Sequence, residues 1–255
     1  MSALEIVAVL LAGVAAGTIN TVVGSGTLIT FPTLLAFGVP PVTANVSNTI
    51  GLVPGSISGA IGYRRELFGQ RGRVLRLGTA SLLGGLAGGL LLLGLPDSAF
   101  AAIVPALIVL GLLLVVAGPR LSAWVAGRHE SAGGLPEHGA WWVWPLVLLA
   151  GVYGGYFGAA QGILLMAIMG IGIDDSLQRL NGVKNVLATL VNGVAGLLFA
   201  VVAEVDWLIV LLIAVGSVVG AQIGAGVGRR LPDAWLRAII VVVGVVALLV
   251  FLRSS

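Results

Sequence analysis

The chain has 255 residues, of which 58% are hydrophobic and only 9% charged, and its mean hydropathy is +1.13. Charged residues make up about a quarter of a soluble domain, so this composition excludes a water-soluble fold and makes the bilayer the solvent. The absence of cysteine excludes a disulfide framework and a thiolate metal site. The pI near 10.0, carried by loop arginines, reports topology and lipid contact rather than nucleic-acid binding.

In chain order, residues 1–17 are apolar but lack the basic segment that opens a secretory signal. They read as mature protein, with cleavage after the Ala15-Ala16 region as the alternative. Residues 12–28, AGVAAGTINTVVGSGTL, form an apolar hairpin with a glycine-rich interruption. Its outer arm, 27–37, is too short at about 1.5 Å per residue to cross a bilayer straight. Next comes a span at 43–62 carrying Asn45, Asn48, Thr49 and Ser56. Pro54 in that span removes a backbone donor and predicts a kink. The loop 64–76 holds Arg64, Arg65, Arg71, Arg73 and Arg76, and uncharged spans follow at 77–95 and 98–118.

Residues 118–140, with Arg120, Arg128, Glu130 and Glu137 among Gly, Ser and Pro, read as a linker. His129 and His138 lie there without further ligands to complete a metal site. Trp141, Trp142 and Trp144 then stand where an interfacial anchor is expected. A second glycine-rich hairpin, AGVYGGYFGAAQGIL at 150–164, ends in a short arm at 163–171. Three spans follow at 179–203, 207–228 and 238–252, with Glu204, Asp206 and Trp207 reading as an interface between the first two.

The arginine-bearing loops should be cytoplasmic by the positive-inside rule. The spans after the first hairpin then run inward, outward and inward, and those after the second run outward, inward and outward. The sequence therefore predicts an all-α integral membrane protein of two inverted repeats, each a broken or re-entrant helical hairpin plus three transmembrane helices. The first repeat occupies 1–119, a cytoplasmic linker 120–140 and the second repeat 141–255. Ten segments result, or six crossings if the hairpins dip and return. Both termini are expected on the periplasmic side.

Asn181, Lys184, Asn185 and Asn192 repeat the spacing of Asn45, Asn48, Thr49 and Ser56 with a constant offset of 136 (181 − 45, 184 − 48, 185 − 49, 192 − 56). At about 100° per residue each set falls within roughly a third of a turn, so each half carries one polar helix face. Such a face usually lines a cavity or a helix contact. Ser25 and Gln161 stand at the same offset in the hairpin tips. Inverted halves with glycine-interrupted segments at matching positions are the sequence pointer to a secondary transporter whose site lies at the repeat interface. Free amides at the tips, backed by helix N-termini, suit an anion. The candidate substrate-binding residues are Asn20, Thr21, Gly24, Ser25, Gly26, Asn45, Asn48, Thr49, Gln161, Gly162, Asn181, Lys184, Asn185 and Asn192. Small-residue packing and interhelical hydrogen bonding are the competing readings of this set.

Lys184, the only lysine in the chain, either contacts a bound anion, snorkels to the interface, or joins Asp174-Asp175, which also stand ready to hold Arg179. No Asp or Glu except Glu5 falls inside an expected span. Proton coupling would therefore run through Lys184, the substrate itself or Glu5. Without coupling, the chain is a uniporter or passive anion channel. An intramembrane enzyme or assembly factor would need His and carboxylate clusters that the sequence lacks, so no catalytic residue, metal or cofactor is assigned.

The run GTINTVVGSGTLITFP at 17–32, followed by Gly38-Val39-Pro40-Pro41 and Ala44-Asn45, resembles the sulfite exporter TauE/SafE family. The resemblance extends over nearly the whole chain and includes the second hairpin. The family commonly has a second glycine where Thr27 stands. Membership implies a permease of the bacterial inner membrane for small organosulfur or related anions of the sulfite, sulfonate or sulfoacetate type.

Overall fold

The computed structural model describes residues 1–129 and 139–226, together with 238, 240–243, 245, 246 and 248. Among them are nine helices and no strand: α1 (Ala3–Val22), α2 (Thr27–Ala36), α3 (Pro41–Gly62), α4 (Arg71–Gly94), α5 (Asp97–His129), α6 (Val143–Tyr156), α7 (Gln161–Gly172), α8 (Leu177–Val202) and α9 (Trp207–Gly226). The described positions between 238 and 248 are also helical. Five helices are long and apolar enough to cross a membrane: α1, α4, the stretch Asp97–Gly118 of α5, α8 and α9.

Local chemistry sets the helix ends. Ser2 and Glu5 form a reciprocal capping box that opens α1, which uses the Glu5 carboxylate structurally. Pro41 takes the first position of α3, where the missing N–H would have been unsatisfied anyway. Ser176 caps α8 by accepting from the Arg179 N–H at 3.4 Å. Asp206 accepts from the Leu208 and Ile209 N–H groups at the start of α9 and donates its own N–H to Ser47 in α3.

Helix α5 continues to His129, so the first residues of the expected linker are helical. The rest of that linker through His138, Arg229 and Arg230, and seven of the fifteen positions of the last expected span lie outside the described residues. At about 1.5 Å per residue, the 10-residue α2 and 12-residue α7 span only about half the hydrocarbon thickness. Both are therefore short outer arms of hairpins.

Glycine lets the backbones touch. A Cβ on Gly17 would lie 2.2 Å from the Ser217 carbonyl oxygen, and one on Gly220 only 1.9 Å from that of Val14. Likewise a Cβ on Gly88 would meet the Val152 oxygen at 2.1 Å, and one on Gly155 the Gly85 oxygen at 2.2 Å. The register gives direction. Gly13 lies on Ile213 and Gly17 on Ser217, so α1 and α9 run parallel; Gly51 on Ile213 and Gly55 on Ser217 align α3 with them. Gly84 on Gly151 and Gly88 on Val152 make α4 and α6 parallel, and Gly85 on Val191 with Gly89 on Ala195 adds α8. Helices α3 and α8 are antiparallel, because Ser56 meets Asn192 while Ile50 meets Gly196. Thus α1, α3 and α9 run one way and α4, α6 and α8 the other.

Two apolar cores divide the bundle. One joins α1, α2, the starts of α3 and α9, α5 as far as Val115, the ends of α4 and α8, and the tip of the second hairpin. There Phe31, Phe100, Phe157 and Tyr156 interlock edge to face, with ring centroids 5.0–6.4 Å apart. The other joins the starts of α4, α6 and α8 with α7.

Close packing and open space predict opposite outcomes. Gly220→Val forces α1 and α9 apart and should cost about 1–3 kcal/mol. Gly193, in α8 with nothing within 4 Å of an added Cβ, should gain about 0.5–1 kcal/mol on substitution by Ala. Thermal melting in one detergent compares the two, and equal melting temperatures would contradict this packing.

Candidate functional site

Both hairpins break the same way. The Val23 and Gly24 N–H groups share the Ile19 carbonyl at the end of α1, and the Phe157 and Gly158 N–H groups share the Tyr153 carbonyl at the end of α6. Each helix then stops at a left-handed glycine, Gly24 with φ 87° and Gly158 with φ 78°, a conformation that glycine adopts without steric penalty. Ala160 also has a positive φ of 61°, a strained backbone for a residue with a Cβ. The tips meet directly. Gly162 N–H donates to the Gly24 carbonyl at 3.0 Å, and a Cβ on either glycine would lie 2.4 Å from the other's Cα.

The polar face of α8 closes on the end of α1. Lys184 Nζ donates to the carbonyls of Asn20 at 3.1 Å and Thr21 at 3.2 Å. Asn181 Nδ2 and Asn185 Nδ2 donate to the same Thr21 carbonyl at 3.4 and 3.3 Å. These are last-turn carbonyls that no following turn can satisfy, and a cation there also meets the negative end of the helix dipole. Lys184 is fully buried. Its stem lies against the second hairpin, with Cδ 3.1 Å from a Cβ built on Gly162. One side chain therefore bridges both tips.

The face on α3 is divided among other contacts. Asn45 Nδ2 donates to the Tyr156 carbonyl at 2.9 Å, capping the end of α6 as Asn181 caps α1. Asn48 instead joins α2, donating to Thr27 Oγ1 at 3.4 Å and accepting from Thr30 Oγ1 at 2.5 Å. Ser56 Oγ accepts from Asn20 Nδ2 at 3.5 Å and Asn192 Nδ2 at 3.3 Å. Thr49 is buried beside this group but joins none of these hydrogen bonds. The sequence candidates thus collect around the tips but divide into separate clusters. Thr27, Thr30 and Tyr156 were not candidates. The spacing of Thr27 and Thr30, three apart on a short arm, was the signal for the first two.

Several groups are left ready for a ligand. Ser25 Oγ, Gln161 Nε2, Asn45 Oδ1, Asn181 Oδ1 and Tyr156 OH are buried without a hydrogen-bond partner. Native buried polar atoms are rarely unpaired. The N–H groups of Ser25, Gly26 and Thr27, at the start of α2, donate to nothing among the described residues. Consecutive free N–H groups at a helix N-terminus, beside a hydroxyl, an amide and a nearby ammonium, can hold an anion.

Away from the tips, Asp175 rather than Lys184 organises the ion pairs. Its carboxylate takes Arg73 NH1 at 2.6 Å and Arg179 Nε at 2.8 Å. Gln70 receives Arg73 and donates to the Arg179 carbonyl, while Arg179 NH1 donates to Phe68 O at 3.2 Å. The cluster ties the loop before α4 to the start of α8. Partial burial raises the Asp175 proton affinity, but hydrogen bonds from Arg73, Arg179 and the Ser176 N–H outweigh it, so its carboxyl is held below the usual range.

Comparison with known proteins places this geometry in context. The family model for "Sulfite exporter TauE/SafE" matches residues 9–251. The chain is 27% identical over 243 residues to the "Probable membrane transporter protein YfcA" of Escherichia coli strain K12, covering 91% of this chain and 83% of that one. It is also 27% identical over 243 residues to the "Probable membrane transporter protein ORF9" of Sinorhizobium sp, covering 90% and 85%. A "Probable membrane transporter protein" of Haemophilus influenzae is 23% identical over 232 residues, covering 90% and 88%. No solved structure matches the chain.

A depressed Asp175 carboxyl stabilises the folded state fully above the ordinary carboxylate range, and the contribution fades as pH falls through the folded-state value. Melting temperatures of the parent and Asp175→Asn should therefore differ near pH 7, and the gap should narrow as pH falls below the ordinary carboxylate value of about 4. A constant gap across that range would contradict the ion-pair assignment.

Proposed function

This chain belongs to the sulfite exporter TauE/SafE family of membrane transporters, and from that premise we propose that it is a secondary carrier of small organosulfur or related anions. The substrate is of the sulfite, sulfonate or sulfoacetate class, and it moves across the bacterial inner membrane by alternating access. The termini lie on the periplasmic side. Exposed Arg64, Arg65 and Arg71, all at the end where α4 and α8 begin, support that orientation.

The observation that carries the proposal is the meeting of the two hairpin tips. At Gly24 and Gly162, unpaired N–H, hydroxyl and amide donors collect within reach of a buried ammonium. The opposite directions of α1 with α3 and of α6 with α8 support an inverted-repeat reading, in which substrate binds where the two halves face each other. The anion sits against the N–H groups of Ser25, Gly26 and Thr27, with Ser25 Oγ and Gln161 Nε2 as further donors. Lys184 supplies positive potential across a short, low-dielectric gap. Asn20, Thr21, Asn181 and Asn185 hold that charge in place. Asn45, Asn48, Thr49 and Asn192 fix the surrounding helices. Protons, if coupled, travel with the substrate or through Lys184.

Saturable flux of radiolabelled sulfite, sulfoacetate, taurine or thiosulfate into proteoliposomes, with acetate as comparison, tests the reading. Ser25 Oγ has no partner to lose, so Ser25→Ala should leave the melting temperature unchanged. It should weaken half-saturation for the transported anion about tenfold to a hundredfold, the effect of one hydrogen bond to a charged group. Unsaturable flux faster than carrier turnover, without counterflow, would replace the carrier with a passive anion channel. Unaltered half-saturation in Ser25→Ala would remove the tip from the binding site.

A further inference from the structure

The contacts of Lys184 have the chemistry of a cation site. Two backbone carbonyls at the broken end of α1, Asn20 O and Thr21 O, receive the ammonium at 3.1 and 3.2 Å. No carboxylate pairs with it among the described residues; Asp175, before the start of α8, is occupied by Arg73 and Arg179. Asn181 donates its amide to the same Thr21 carbonyl, and its Oδ1 is buried with no partner. Two oxygens therefore share one position, both of them carbonyls at the negative end of a helix. Carbonyls at unwound helix ends are where coupled carriers coordinate inorganic cations, and rings of carbonyls replace the hydration shell of monovalent cations in channels.

We propose that Lys184 is a tethered occupant of a monovalent-cation seat formed by Asn20 O and Thr21 O, so that this transporter needs no inorganic coupling cation. The occupant cannot diffuse away, because the lysine stem is packed against Gly162 in the opposite hairpin. A coupled carrier closes its two hairpins only when the ion arrives. Here the positive charge that neutralises the α1 terminus belongs to α8, and the hairpins are held together without added salt. The seat itself follows from geometry alone. Its consequence for coupling rests on the anion-carrier reading.

Removing the side chain should vacate the seat for a free ion. The melting temperature of purified parent, Lys184→Ala and Lys184→Met is measured in potassium, ammonium, sodium and choline chlorides at matched ionic strength. The parent should melt at one temperature in all four salts. Lys184→Ala should melt about 4–8 °C higher in potassium or ammonium than in choline, the shift expected when an ion binds only the folded state well above its Kd. Lys184→Met fills the seat with an uncharged chain and should show no difference among the salts.

A Lys184→Ala protein that melts alike in every salt, or fails to fold even in potassium and ammonium, overturns the proposal. So does a cation-dependent parent, or a Lys184→Met response equal to that of Lys184→Ala. Sulfite flux into proteoliposomes gives the second arm, and in the parent it should be equal with potassium, sodium or choline on either side. Salt-dependent parent flux would overturn cation independence. Absence of flux for every tested anion would instead sink the carrier reading, while the melting series still decides the seat.

Discussion

A fully buried ammonium in a membrane protein must be solvated by the protein itself, and Lys184 meets that demand with the carbonyl end of a broken helix. Much of the architecture around the hairpin tips follows from this interaction. A continuous helix would use the Asn20 and Thr21 carbonyls in its own next turn, so α1 must stop where the lysine arrives. The left-handed Gly24 makes that stop, and Asn181 and Asn185 add donors that hold the freed Thr21 carbonyl toward α8. The lysine stem then needs a neighbour without a side chain, and Gly162 is that neighbour. Charge, helix break and glycine contact are thus one arrangement.

Glycine plays a second, separate part in the scaffold. In lipid there is little hydrophobic gain from bringing two helices together, so contact depends on close backbone approach. The α1–α9 and α4–α6 pairs achieve it through glycines spaced four apart. The same exchange relates the two sets: α1 and α3 lie on α9, whereas α6 and α8 lie on α4. The scaffold thereby brings two hairpins tip to tip, while Asn45 and Asn181 each satisfy the terminal carbonyl of a helix from the other half. In this way each half completes the broken helix that the other half leaves open.

Much of this was legible in the residues. Hydropathy and arginine spacing located α8 and α9 within two positions at each end and α4 six residues short of its start, because membrane spans are set by apolar length; the span expected at 43–62 matches α3, which is not among the five helices apolar enough to cross. The two short arms were equally clear from their length. Helix α5 beyond Gly118 was not, since a helix outside the hydrocarbon need not be apolar, and Arg120 and Arg128 made it read as linker. The polar faces were visible as stripes, but their partners were not. Lys184 and Asn181 bond to backbone carbonyls, which every residue has and no sequence pattern marks. The matched spacing suggested one lining, whereas Asn48 turned to Thr27 and Thr30 on the adjacent arm. Thr27, which reads as a departure from the glycine pattern that the family resemblance implies, became a hydrogen-bond partner for Asn48.

Because the chain contains a single lysine, its ammonium can be observed without interference from other lysines. Protein labelled with 15Nζ-lysine and carbonyl-13C threonine or asparagine, reconstituted in lipid, gives dipolar dephasing that reports the distance from Lys184 to labelled backbone carbonyls. A hydrogen-bonded carbonyl places its carbon within about 4.5 Å of the nitrogen. The structure predicts strong dephasing in both samples, from Thr21 and from Asn20, with a single charged, slowly exchanging nitrogen signal. A lysine signal with no short carbonyl distance, exchanging freely with water, would contradict the claim that this charge joins the two hairpins.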